Sequence, residues 1–572
     1  MATKYINLDN TKLIKLYQSQ RSLRRNVEGI WNDIMRLVLP YRGDMFRDYT
    51  DELSVDWYEN INTYTSVATI AHSTLSASLH GSITSPAVQW FHMKFRKTDV
   101  NKMPGAKEWL DDTARKIYEA LQDSNFNVEA NEMYQDICGF GTSILVEEDR
   151  GDVDFYDQEE GAEEWLGLDF QCIPIRECFF EQDSRGGVYR FYRRHSWTSI
   201  QILSKFPEDQ VPDWIIEKAD GEASEERIEV IFCVYARVRR PDLVDTSQAL
   251  APNKRPYGWR YVVESDHSIL GTEGGYYEMP AFVVRYLKAS GSQWGFSPAM
   301  QVLPDLKTYN SLVELGLSAL EKAVDPATLT TQRGLFGDLD LQSGSITVVN
   351  DVNEVIPYES RSNFQAEFAK EQQLKQDIRE AFHANDLQLK ESPAMTATEV
   401  AARMELMQRL LGPTLGRLQS DFLDPLIKRT FKILMRAGQL QEIPEEMYGE
   451  ELDISYIGTL TQAQSSDQIA SIDRWLATGV QLSQVAPEVL DIIDFDEAMR
   501  VPGALQNIPG TMMRDQQEVD TKRNERKEAQ AKAQQMEMAK QGSEVVRNVG
   551  GPEGMAAMEG GAGQQVMDQM TQ

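Results

Sequence analysis

Between residues 297 and 440 the apolar positions fall into three helical blocks separated by two polar stretches. The first block opens at Ser297-Pro298, an N-cap followed by proline at the first helical position, where a missing N–H costs nothing. Leu306, Tyr309, Leu312, Val313, Leu317 and Leu320 then recur at helical spacing, and Asp325-Pro326 ends the block because proline disfavours helix in the residue before it. The second block, 363–384, keeps Phe364, Phe368, Ile378 and Phe382 in period among Glu, Gln, Lys and Arg, a stripe so narrow that it needs a neighbour. The third opens on the capping box Thr396-x-x-Glu399 and runs through Val400, Met404, Met407, Leu411, Leu415, Leu418, Phe422, Leu426 and Ile433 to Gly438. Only Gly412-Pro413 interrupts it, and the pattern on both sides predicts a kink there. A rod of roughly 60 Å follows from 1.5 Å per residue, more than an ordinary globular domain needs.

The first 140 residues also read as helices. Leu13, Leu16, Leu23, Val27, Ile30, Trp31 and Ile34 form a stripe ending before Pro40, interleaved with Arg21, Arg24 and Arg25. Those arginines either touch DNA or lie on a solvated or ion-paired face, and the second reading is preferred. Residues 66–80 and the segment carrying Trp109, Leu110, Ala114, Ile117 and Leu121 predict packing helices. His72 and His80 are eight apart, not the i, i+4 of a metal pair, so both read as structural.

From about 142 to 288 the period shifts towards two, as in Val188-Tyr189-Arg190-Phe191-Tyr192-Arg193, and strands are expected. Gly186-Gly187 and Gly274-Gly275 read as turns. The acidic run 147–164 lacks calcium-loop spacing and reads as a solvated insertion. Beyond 440 come a short apolar segment, Leu452 to Ile457, and helices about 469–477 and 487–493. Pro502-Gly503 and Pro509-Gly510 then mark a boundary. Residues 513–540 would make a helix marginal on its own, and 549–572 is Gly-, Gln- and Met-rich and expected to be disordered.

Composition changes this picture in two ways. A net charge of −31 over 572 residues opposes gripping of DNA phosphates through clustered cations, yet suits an acidic wall along which a duplex slides, or simply an acidic surface. Chemistry is also missing. There is no Gly-x-x-x-x-Gly-Lys-Ser/Thr, no His-Glu-x-x-His and no Gly-x-Ser-x-Gly, so no enzyme is expected and no catalytic, cofactor-binding or metal residue is named. Cys138, Cys172, Cys178 and Cys233 are too few and scattered for a disulfide framework and read as buried thiols. No signal-peptide pattern and no run of eighteen apolar residues occurs, so no membrane partner is expected and assembly in the cytoplasm is.

Six stretches carry a resemblance: Arg285-Tyr286-Leu287, Trp294-Gly295-Phe296-Ser297-Pro298, Leu303-Pro304-Asp305-Leu306-Lys307-Thr308, Lys322-Ala323-Val324-Asp325-Pro326, Gly344-Ser345-Ile346-Thr347-Val348-Val349 and Met395-Thr396-Ala397-Thr398-Glu399-Val400. Together they resemble the head-to-tail connector, or portal, proteins of short-tailed bacteriophages, and a weaker likeness extends over most of the chain. Phe296 departs from the family, whose members often carry Arg after the glycine. The resemblance implies an α+β, predominantly α-helical portal fold. It divides the chain into a wing (1–296, with N-terminal helices to 141 and a β-rich part from 142), stem helix one (297–325), a clip (326–362), stem helix two (363–384), a tunnel loop (385–395), a long kinked helix and further wing (396–460), a crown (461–510), a barrel-like helix (511–548) and a disordered tail (549–572).

The same resemblance implies a ring of about twelve copies at one capsid vertex of the virion, a channel for genome packaging and ejection. Its partners would be the terminase large subunit, a tail adaptor, major capsid and scaffolding proteins, and double-stranded DNA held without sequence specificity. Clip docking falls to Arg333, Leu335, Phe336 and Asp338, unless that segment is a plain surface loop. The tunnel loop holds Asp386, Lys390, Glu391 and Pro393. There Lys390 either adds a positive ring to the channel or pairs with a carboxylate on the wing. Gly412 and Pro413 are the kink. The alternative is a scaffolding or internal virion protein that associates through its long helices without a channel. An ATP-hydrolysing terminase is disfavoured by the missing nucleotide motif.

Overall fold

The computed structural model describes residues 8–43, 45, 63–97, 99–103, 105–150, 165–183, 186–241, 244, 250–288, 291–324, 328–330, 355–357, 364–387, 411–444, 452–456, 459–483, 493–505 and 516–549. The chain divides into two compact units: Met1–Lys94, Asp112–Ile443 and Leu452–Asp467 make the first, and Phe95–Asp111, Pro444–Glu451 and Gln468–Gln572 the second. Mostly helical with several antiparallel sheets, it is a helix-dominated α+β fold.

Asp9 accepts a hydrogen bond from the Lys12 amide and caps α1 (Asn10–Leu37), which buries Leu13, Ile14, Tyr17, Trp31, Ile34 and Met35. Leu23 and Ile30, expected in the apolar stripe, are exposed. Arg24 faces inward instead, donating to the carbonyls of Ile175 and Cys178 at 3.0 and 2.9 Å, pairing with Glu28 at 2.8 Å and lying over the Phe179 ring. The helix crosses a chain segment whose carbonyls need donors, so a buried cation wins over leucine there. The ion-paired reading of Arg24 holds through Glu28, but the residue is buried and not solvated, so it lies on no DNA surface.

Three helices follow, α2 (Val67–Ile83), α3 (Ala106–Asp123) and α4 (Phe126–Phe140), with β1 (Phe91–Phe95) between the first two. β2 (Thr142–Asp149) pairs antiparallel with β3 (Leu168–Ile173). A five-stranded antiparallel meander comes next: β4 (Cys178–Gln182) and β5 (Val188–Thr198), then α5 (Ser199–Lys205) and α6 (Asp213–Ala219), then β6 (Arg227–Ala236), β7 (Tyr257–Val263) and β8 (Ile269–Tyr276). The period-two pattern of β6 is explained by two cores. Ile231, Cys233 and Tyr235 pack towards α1, whereas Ile228 and Val230 pack with Ile202 of α5 and Ile215 of α6. β9 (Ala281–Arg285) returns to the outer side of β2, giving the order β3-β2-β9.

Two expectations change here. Gly274-Gly275 lies inside β8, not in a turn, and a Cβ on Gly274 would sit 2.1 Å from the Trp259 ring, so the glycine makes room for a cross-strand indole. The acidic run begins in the core, because Glu147 and Glu148 belong to β2 and Glu147 is fully buried. Gly186, with φ +88°, does occupy the expected β4–β5 turn.

A short ribbon of β10 (Leu287–Lys288) and β11 (Gly295–Phe296) leads into α7 (Pro298–Val324). β12 (Thr328–Thr330) and β13 (Val355–Pro357) pair antiparallel across the excursion that follows. Then come α8 (Phe364–Ala381), the single turn α9 (Ala384–Leu387), helical residues 411–418, a π turn at Gln419–Leu423 and α10 (Asp424–Arg436). The π turn precedes Pro425, which has no N–H for Asp421 and whose ring would crowd that carbonyl; a wider turn relieves both. Gly412-Pro413 is thus not the sole interruption of this rod. Gly438, at φ +67°, terminates it, with Gln439 N bonded to Leu434 O and Gly438 N to Met435 O.

β14 (Leu452–Tyr456) and the start of α11 (Thr459–Ser483) complete the first unit. In the second, Asn101 bridges both backbone groups of Phe95, whose ring stacks on Trp109. That unit also holds α12 (Phe495–Leu505) and α13 (Gln516–Val549), and Arg523 grips Asp496 with two hydrogen bonds. Pro502-Gly503 lies within α12, so it is not the boundary expected of it, and Pro509-Gly510 lies outside the described residues. All four cysteines are buried and unpaired. No helix among the described residues is long and apolar enough to cross a membrane.

Candidate functional site

The antiparallel pair α7 and α8, with the elements that anchor it, is the candidate site. Its foundation is the end of α4, where Gly141 adopts φ +75° and closes the helix with a bond to Ile137 O. Four groups converge on this terminus. Trp31 Nε1 donates to Phe140 O at 3.1 Å, Tyr286 N to Gly141 O at 3.0 Å, and Gly295 N to Thr142 Oγ1 at 2.7 Å. Ser297 Oγ donates to Gly139 O at 2.6 Å while accepting from Met300 N at 3.0 Å. One hydroxyl therefore caps α7 and ties it to α4. The Trp294 ring wedges edge-on against Trp31 and Phe180, each 4.8 Å away. Phe296, the departure from the family pattern, is half exposed opposite Leu287 in the ribbon.

From this anchor α7 buries Ala299, Val302, Leu303, Leu306 and Tyr309, and is held laterally by the ion pair of Lys307 with Asp33 and by Asn310 accepting from Tyr64 N. α8 buries Leu374 and Ile378, followed by Phe382. Tyr309 meets Glu371 at 3.4 Å, and Gly316 lies against Glu367, so the two helices run antiparallel. Beyond that level the pattern reverses. Leu315, Val324 and Phe368 are 67%, 78% and 61% exposed, and Leu317 and Leu320 are open as well. The sequence period of α7 continues past the point where the described residues bury it.

Residues 396–410, with the expected Thr396-x-x-Glu399 start of the rod, lie outside the described residues; the described part, 411–436, is bolted to the β2–β9 sheet by an ionic network. Arg429 is buried, with Nε 3.3 Å from Glu147 Oε2, Nη2 donating to Glu147 O and Nη1 to Glu278 O. Thr430 Oγ1 donates to Glu147 Oε1 at 2.7 Å, and Arg436 binds Glu278 with two hydrogen bonds. Burial pushes the Glu147 carboxyl upwards, opposed by the Arg429 charge and the Thr430 hydroxyl. Nothing singled out this pair beforehand. The signal was present, however: Arg429 and Thr430 fill the gap between Leu426 and Ile433 in the apolar stripe, where a charged side chain faces the core.

Of the residues expected at the site, Arg333, Leu335, Phe336 and Asp338 lie outside the described residues, as do Lys390, Glu391 and Pro393. Asp386 falls in the helical turn α9. Gly412 and Pro413 sit in helical backbone, and no atom lies within 4 Å of a Cβ built on Gly412. The described residues contain no grouping of His, Cys, Asp and Glu suited to a metal ion.

The family model for the bacteriophage head to tail connecting protein matches residues 10–513, spanning the anchor, both helices and the rod. The chain belongs to that family. It is 26% identical over 559 residues to the probable portal protein of Bordetella phage BPP-1, covering 94% of this chain and 95% of that one. To the portal protein of Salmonella phage epsilon15 it is 27% identical over 571 residues, covering 97% and 99%. Members of this connector family are structural, so the chain is a phage structural protein and not an enzyme. Four of the six stretches that carry the resemblance fall within 285–326, and the described residues among them supply Tyr286, Trp294, Gly295 and Ser297 to the anchor and form α7.

Proposed function

We propose that this connector assembles as a closed ring of about a dozen copies, in which α7 and α8 stand as a stem around a channel for double-stranded DNA. The observation that carries the reading is the exposed apolar half of that helix pair, Leu315, Leu317, Leu320, Val324 and Phe368. Covering each such side chain, already partly buried, contributes less than the about 1.5–3 kcal/mol of a full burial, before the entropy cost of association. A neighbouring copy offers the same surface to every subunit, which a cyclic assembly satisfies and a monomer does not.

Membership of the connector family supports placing the ring at a capsid vertex, between capsid and scaffolding proteins on one side and a terminase motor, later a tail adaptor, on the other. In this reading the segment expected as the clip, 326–362, docks the partners, and the segment expected as the tunnel loop, 385–395, meets the duplex. A net charge of −31 fits a wall along which DNA slides without adhering. Native mass spectrometry and negative stain of the purified chain test it: closed rings are expected. A monodisperse monomer at micromolar concentration refutes the ring, and filaments without a channel favour the scaffolding alternative.

A further inference from the structure

The solvent face of α1 runs against the charge of the chain. Lys12, Lys15, Arg25 and Arg36 are exposed there, and their side chains have no ion pair among the described residues. The carboxylates around them are matched already: Asp9 sits at the positive end of the helix and accepts from the Lys12 amide, Glu28 pairs with Arg24, Asp33 with Lys307 and Glu264 with Arg21. The face is therefore positive on a chain of net charge −31. Leu23 and Ile30, both exposed and two turns apart, add apolar surface along one side of it.

The opposite composition occurs in residues 151–164, which lie outside the described residues. They hold Asp152, Asp154, Asp157 and two Glu pairs, Glu159-Glu160 and Glu163-Glu164, with no Lys or Arg, and the apolar Val153, Phe155 and Tyr156 among them. Lys12 and Arg25 are about 20 Å apart along the helix, a length that about six extended residues cover.

We propose that the solvent face of α1 receives residues 151–164 of a neighbouring copy of the chain, their carboxylates pairing with Lys12, Lys15 and Arg25 while Phe155 or Tyr156 covers Leu23 and Ile30. The source is a neighbour for a geometric reason. The segment leaves β2 at Arg150 and returns at Gly167, whose carbonyl the Arg150 amide meets at 3.1 Å. From that end β3 runs about 17 Å towards the Ile175 and Cys178 carbonyls, which Arg24 grips on the inward side of α1. To reach its own α1 the segment would have to retrace that length and round a helix about 10 Å wide, at the limit of the about 26 Å that a loop returning to Gly167 spans at its tip. A neighbouring copy is under no such constraint. Phosphates of a nucleic acid would satisfy the cations equally well but leave Leu23 and Ile30 uncovered, whereas the acidic run brings apolar side chains with its charge. The inference rests on the ring reading above, which supplies the neighbour.

The test uses rings assembled from a mixture of ¹⁴N- and ¹⁵N-labelled chains, treated with a zero-length carbodiimide that joins amines to carboxylates. Mixed-isotope links from Lys12 or Lys15 to residues 152–164 are expected. Lys15→Glu with Arg25→Glu, both surface changes, should lower the salt concentration at which rings dissociate, and adding Asp154→Lys with Glu160→Lys to the same chain should restore it. Intact rings with same-copy links alone, with links only to other carboxylates, or with none, overturn this inference and leave the ring reading standing. Protection of Lys12 and Lys15 from acetylation only when DNA is added assigns the face to nucleic acid and likewise overturns it. A chain that never forms rings overturns both.

Discussion

A Cβ built on Gly295 would lie 2.0 Å from the carbonyl oxygen of Gly141, a backbone-to-backbone approach that no rotamer change relieves. Gly295→Ala must therefore push β11 away from the end of α4 and disturb the Ser297 cap. The expected cost is about 3 kcal/mol, read as a lower thermal or urea midpoint. Gly412→Ala is the internal control: its Cβ meets nothing within 4 Å, and it should gain up to about 1 kcal/mol from helix propensity. Equal effects of the two changes would refute the anchor.

Arg429→Met replaces the aliphatic stem of the side chain but leaves Glu147 buried without its cation. Breaking a buried pair in this way costs about 3–5 kcal/mol. Arg436→Met, at an exposed position two turns on, should cost under about 1 kcal/mol. Hydrogen exchange of β2 and α10 separates the two: only the first variant should deprotect both elements.

His72 supplies a pH dependence with a definite sign. Its Nε2 lies 2.8 Å from Gln135 O, Phe382 packs edge-on against the ring, and burial with the nearby Arg42 charge pushes the imidazole down to about 4. The unfolded imidazole takes up its proton near its ordinary value of about 6.5, before the folded one does. Stability from this group is thus complete above that value and is lost as pH falls towards 4, by about 3 kcal/mol in all. His72→Gln retains a donor for Gln135 O but does not titrate. Its deficit relative to the parent should shrink across that window; parallel stability curves would sink the assignment.

For the clip, replacing residues 335–340 should leave rings intact and abolish recruitment of the motor or tail adaptor. Pull-down of either partner on preassembled rings measures this. Normal capture would show an ordinary surface loop.

For the tunnel loop, deleting residues 387–392 should spare assembly and early packaging yet let packaged DNA escape. Contacts from Lys390 would be salt-screened and blind to sequence, enough to brake a duplex but not to read it. Heads filled with DNA and then stripped of the motor provide the measurement, and full retention excludes a valve.

Much of this architecture is written locally. Ser297-Pro298, Val324-Asp325-Pro326 and Gly438 place the starts and stops of helices because caps, proline and left-handed glycine act on their immediate backbone. Alternation in β5 and β6 likewise survives into the sheet, since each face meets its own core. Tertiary packing alone decided the rest. Arg24 and Glu147 look like surface charges in the sequence, and only the arrival of the Ile175 and Cys178 carbonyls, or of Arg429 from 282 positions away, makes burial affordable. Gly274 reads as a turn until Trp259 is laid across it. The apolar period of α7 forecasts a covered face along its whole length, whereas the described residues bury it only over the first three turns. Periodicity records which residues prefer to be out of water; which surface comes to cover them depends on the rest of the fold and on neighbouring copies.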